Sequence, residues 1–108
     1  MAYYLFQCSY TAEAWASLVQ NPQNRLEAVR SVVEGLGGSM ENAWTAFGEY
    51  DLVAILQMPD NVSVAAFSMA VAAGGAVKSI KTTPLMSMEE GVEAMKKASG
   101  SGYQAPTG

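Results

Sequence analysis

A chain of 108 residues is long enough for one domain and too short for two ordinary ones. Half of the residues are hydrophobic and 15% are charged, enough apolar surface to offset the entropy of ordering, so disorder is excluded for the body of the chain. Ten acidic side chains against six basic ones (Arg25, Arg30, Lys78, Lys81, Lys96, Lys97) give a net charge of −4 with no basic stripe, which argues against nucleic acid as a partner. No run approaches the roughly 18 apolar residues of a spanning helix, and Met1-Ala2-Tyr3-Tyr4 leads straight into a strand pattern rather than a signal segment. No membrane association is expected. One cysteine, Cys8, allows no intramolecular disulfide and fits a reducing compartment, so a cytoplasmic location is expected.

Residues 2–10 (AYYLFQCSY) are aromatic-rich and free of Gly and Pro, and their continuous apolar character predicts a central strand buried on both faces. Thr11 can cap a short helix carrying Trp15, Leu18 and Val19, and Asn21-Pro22 reads as a break and a new cap. Leu26, Val29, Val33 and Leu36 then fall on one helical face, and Gly37-Gly38 stops the helix where a left-handed cap is needed. Residues 39–47 are polar and alternating, an outer strand, and Gly48-Glu49-Tyr50 turns tightly into a second apolar strand at 51–58.

Pro59-Asp60-Asn61 ends that strand and offers caps to a helix over 61–73, rich in Ala, Val and Met and closed by Gly74-Gly75. Residues 76–85 return to strand, and Pro84, which cannot donate to a ladder, places that strand at an edge. Ser87 and Glu90 match a capping box opening a last helix with Met88, Val92 and Met95 on one side. The organisation is a domain over 1–86, an appended helix over 87–98 and a flexible Gly/Ser-rich tail over 99–108.

This order predicts an α+β, ferredoxin-like βαββαβ fold: a four-stranded antiparallel sheet, strands ordered 4-1-3-2, with helices on one face. The two richest apolar runs then lie in the centre. Both carry apolar residues at both parities, so the face away from the helices needs cover, and a homodimer or larger assembly packed through that face is expected. The competing expectation is that the helix at 87–98 folds back over its own sheet.

The string Phe47-Gly48-Glu49-Tyr50-Asp51-Leu52-Val53-Ala54-Ile55-Leu56-Gln57-Met58, followed by Pro59-Asp60, resembles the signature of the GYD-domain family. So do Gly37-Gly38 ahead of a strand with Trp44, and the small-residue helix ending at Gly74-Gly75. The resemblance covers roughly residues 3–86 and implies a subunit of the dimeric α/β-barrel type, from a bacterial or archaeal cytoplasm, in a family of undefined biochemical role. Related folds include cofactor-free monooxygenases and isomerase-like proteins, but a fold alone transmits no activity.

With no histidine, the chain lacks the usual metal ligand, haem ligand and neutral-pH acid–base group, and no phosphate loop, dinucleotide fingerprint or nucleophile elbow is present. No catalytic residue, metal site or cofactor is expected, and the balance leans away from an enzyme. Glu49 and Asp51 read as structural parts of the turn, Gly48 supplying an unusual dihedral, Asp51 bonding backbone donors, Tyr50 packing and Glu49 solvated. Cys8, in an apolar strand without a cationic neighbour, reads as an inert buried thiol.

A small apolar molecule could lie in a cleft between helices and sheet lined by aromatic and Met side chains, Trp15, Trp44 and Phe67 among them, with Gln7, Asn42, Gln57 and Lys81 as orienting polar groups. The same residues read more simply as ordinary core and edge positions. The alternative function is a cofactor-free monooxygenase- or isomerase-like enzyme acting on an aromatic or quinone-like substrate, with Trp44, Asn42 and Gln7 at its site.

Overall fold

A computed structural model describes residues 1–107; Gly108, the end of the expected tail, lies outside them. The chain forms β1 (Ala2–Tyr10), α1 (Ala12–Gln20), α2 (Leu26–Gly35), β2 (Ser39–Thr45), β3 (Leu52–Met58), α3 (Asn61–Ala73), β4 (Val77–Leu85) and α4 (Met88–Ser99). The strands make one antiparallel sheet ordered β2-β3-β1-β4, which is the expected 4-1-3-2 order read from the other edge. Apolar β1 and β3 are central. Pro84 sits on the edge strand β4, where no further neighbour needs its missing donor.

Local chemistry sets the helix ends. Thr11 Oγ1 accepts from Ala14 N at 3.1 Å to start α1, and Asp60 Oδ1 accepts from Ser63 N at 2.8 Å to start α3. That bond holds the Asp60 carboxyl below its ordinary value, because the ionised form is the better acceptor. Gly37 takes φ +90° after α2, the left-handed stop expected there. One boundary differs from the sequence expectation: Asn21 closes α1, and α2 begins only at Leu26 behind Arg25. Asn24, not Asn21, supplies the side-chain acceptor, taking Leu26 N at 2.9 Å.

The core lies on the helix side of the sheet. Tyr4, Phe6 and Cys8 of β1, Ala54, Leu56 and Met58 of β3 and Met40 of β2 are buried against Val33 of α2 and Val64 and Phe67 of α3. Phe6 and Phe67 meet edge to face with ring centroids 4.9 Å apart, a geometry worth about 0.5–1.5 kcal/mol beyond area burial. On the opposite face Leu5, Val53 and Ile55 are only half-buried, so within one chain the central strands are covered on one side and not on both.

The last helix does not supply the missing cover. Its capping box forms as expected, Ser87 N donating to Glu90 Oε1 at 2.8 Å and Glu90 N to Ser87 Oγ at 3.1 Å. No residue of α4 is buried, however, and Met88, Val92 and Met95 are exposed. The molecule measures 57 × 37 × 22 Å with a radius of gyration of 17.5 Å, against about 13 Å for a compact domain of this length. Among the described residues no helix is long and apolar enough to cross a membrane.

Candidate functional site

The segment Gly48-Glu49-Tyr50-Asp51 works as a clasp across the sheet end. Asp51 Oδ2 accepts from Tyr10 N at 2.9 Å and from Trp15 Nε1 at 3.2 Å, joining the β2–β3 connection to the end of β1 and to α1. Ser9 Oγ donates to Glu49 O at 2.7 Å, Asp51 N to Cys8 O at 2.9 Å, and Ala46 N to Asp51 O at 2.8 Å. Glu49 is exposed, Tyr50 half-buried. The unusual dihedral expected of Gly48 is absent: among the described residues only Gly37, Gly75 and Gly102 have positive φ. The cross-strand hydrogen bonds hold the turn, so no left-handed residue is required there.

Three depressions open on the helix side; one, about 530 Å³, lies between α3 and β4 over Tyr4, Ser68 and Thr82. A second, about 320 Å³, lies between α2 and α3 over Phe6, Cys8, Phe67 and Val71. The third, about 730 Å³, lies beside α1 and is bordered by Trp15, Leu18 and Trp44. These last two adjoin at Tyr10, Arg25 and Leu52, which line both. Both volumes fall in the roughly 300–1,000 Å³ range of small-molecule sites. Tyr10 packs edge-on against Trp15 with centroids 5.3 Å apart.

Cys8 is 2% exposed. Burial first, and the Asp51 carboxylate second, push its thiol from 9.0 to about 11, so it is uncharged at neutral pH. The Tyr10 phenol is raised as well, by burial and by Cys8 and Asp51, with the Arg25 guanidinium opposing the rise.

The strand register divides the expected ligand-binding residues between two faces. Trp44, Val53, Gln7 and Lys81 form one row across the face away from the helices, Asn42, Ile55, Leu5 and Thr83 a second, and Ser39, Gln57, Tyr3 and Leu85 a third. Gln7, Asn42, Trp44, Gln57 and Lys81 therefore share the open face. Phe67 is in the core on the other side, and Trp15 borders the helix-side depression. Trp44 reaches the rim of that depression from the edge strand β2, 51% exposed. The expected single cleft does not gather all seven, because side chains alternate faces at every residue of a strand.

Arg25 and Tyr10 carry no signal in the sequence as site residues, since only the fold carries the start of α2 to the end of β1. Among the described residues no group of three or more His, Cys, Asp or Glu side chains could hold a metal ion.

Comparison with solved structures supports the fold. FFRP-DM1 matches with a TM-score of 0.50 at 14% identity, over 80% of this chain and 100% of its own. TTHA0845 from Thermus thermophilus matches with a TM-score of 0.53 at 15% identity, over 81% and 95% of the two chains. The hypothetical protein PHS023 from Pyrococcus horikoshii matches with a TM-score of 0.51 at 12% identity, over 81% and 92%. No curated protein matches by sequence. The family model described as GYD domain matches residues 4–95, taking in the clasp, nearly all of the sheet and most of α4, and the chain belongs to the GYD-domain family.

Proposed function

We propose that this chain is a self-assembling domain in which two copies pack the open faces of their sheets together, each keeping a helix-side cleft for a small, largely apolar molecule. The observation that carries the reading is the open face itself. Its centre is Leu5, Val53 and Ile55, flanked by the exposed Tyr3, Trp44 and Leu85 and interspersed with the polar Gln7, Asn42, Gln57 and Lys81, and among the described residues no helix covers it. Monomeric proteins rarely leave a large apolar patch in water, and a specific interface takes about 800 Å² from each partner, the scale of one small sheet face.

The alternative, a cofactor-free enzyme using Trp44, Asn42 and Gln7, is weakened by the register. Those side chains line the open face and not the helix-side cleft, so packing two sheets together would put them in an interface.

Sedimentation of the wild-type chain and of Ile55→Lys tests the assembly. A dimer or larger species for the wild type and a folded monomer for the variant is the expected pair of results. A wild-type chain that stays monomeric at millimolar concentration removes the proposal.

A further inference from the structure

The two adjoining depressions share an electrostatic asymmetry. In a chain of net charge −4 their described lining contains no Asp or Glu, and Arg25 is the one charged side chain in either. Arg30, the other arginine, is paired with Glu27 at 2.6 Å, whereas among the described residues Arg25 has no carboxylate partner. The nearby acid, Asp51, already engages Tyr10 N and Trp15 Nε1 through one oxygen. An unpaired guanidinium therefore stands at the junction of two apolar hollows.

We infer that the cleft takes an amphipathic monocarboxylate, its carboxylate on Arg25 and its aliphatic or aromatic tail against Val29, Val32, Val71 and Val77. This rests on the cleft proposed above and names its ligand class. A guanidinium presents a planar fork that matches a carboxylate in two parallel hydrogen bonds. One cation neutralises one negative charge, so a monoanion suits the site better than a phosphate dianion in an acidic protein. Away from Tyr10 and Arg25 the accessible side chains of that hollow, Ala28, Val29, Val32, Ala70, Val71 and Val77, offer a tail only carbon. Arg25 itself is exposed and makes no side-chain cap to α2, so it can be changed without disturbing the helix start.

Calorimetric titration of the full chain with octanoate, octan-1-ol and acetate separates head from tail. Octanoate is expected to bind saturably, about tenfold or more tighter than octan-1-ol, and acetate not at all. In Arg25→Gln, with circular dichroism confirming the fold, octanoate should weaken to the level of octan-1-ol while octan-1-ol is unchanged. Equal binding of octanoate and octan-1-ol by the wild type, or octanoate binding that survives Arg25→Gln, overturns the carboxylate assignment and leaves the cleft standing. Saturable binding by neither overturns both.

Discussion

Trp15 and Asp51 lie 36 positions apart and are joined by an indole N–H bond to Asp51 Oδ2 at 3.2 Å. Because the same oxygen accepts from Tyr10 N, one carboxylate fixes the hairpin loop, the end of β1 and the first turn of α1 together. Asp51→Ala leaves a half-buried backbone donor without its partner and should lower unfolding free energy by about 1–3 kcal/mol. Asp51→Asn keeps an acceptor oxygen and should cost less. Glu49 is exposed and takes part only through its backbone carbonyl, so Glu49→Gln should stay within about 0.5 kcal/mol of wild type. Urea unfolding of the three variants checks the order.

Cys8 should be slow to alkylate in the native chain, since the thiolate is the nucleophile and this thiol is buried and pushed to about 11. Iodoacetamide at neutral pH is expected to modify it only after urea unfolding. The same shift has a thermodynamic sign. The folded chain holds the thiol proton more tightly than the unfolded one, so stability is unaffected by this group below about pH 9 and falls as pH rises from 9.0 to about 11. Cys8→Ala should flatten that limb of a stability–pH curve, and a limb that persists unchanged assigns it to other groups.

Two glycines separate what was legible from what was not. Gly37-Gly38 reads in sequence as a helix stop, and Gly37 is that stop, but Gly38 has a different duty: a Cβ there would run into the backbone oxygen of Gln57 and the sulfur of Met58. Gly38→Ala should therefore destabilise by about 1–3 kcal/mol through overpacking. Gly48, the more conspicuous in sequence, has an ordinary φ and open space around its Cα. Gly48→Ala should be neutral, or stabilise by about 0.4–1 kcal/mol by restricting the unfolded chain. Thermal melts of both decide it.

The topology was readable because each element carried its own signal: the Leu26/Val29/Val33/Leu36 stripe, Pro84 on an edge, the Ser87/Glu90 box. Those signals are local. The site depends on register and on which face the helices choose, and these are fixed by packing between distant residues such as Phe6 and Phe67. Gln7 lies between Phe6 and Cys8 in sequence, so the period of two already assigns it to the other face once either neighbour is known to be core. The apolar residues on both parities hid that choice. Arg25 is silent in sequence because its setting at the mouth of the cleft needs Phe6, Tyr10, Leu52 and Val71, which only the fold brings to the start of α2.

The last helix gives a further test, because local and tertiary stability part company there. Residues 88–99 have a complete capping box, Glu89 and Glu90 in the first turn, and Lys96 and Lys97 in the last, each complementing the helix dipole. Such terms contribute a few tenths to about 1 kcal/mol each and favour helix locally, but they do not couple α4 to the sheet. With no residue of α4 buried, removing residues 87–108 takes nothing from the core around Val33, Leu56 and Phe67. The truncated chain, studied as a dilute monomer, should keep the wild-type urea midpoint while losing helical circular dichroism in proportion to the deleted turns. If its midpoint falls, α4 packs on its own domain in solution, and Met88, Val92 and Met95 are not a free stripe.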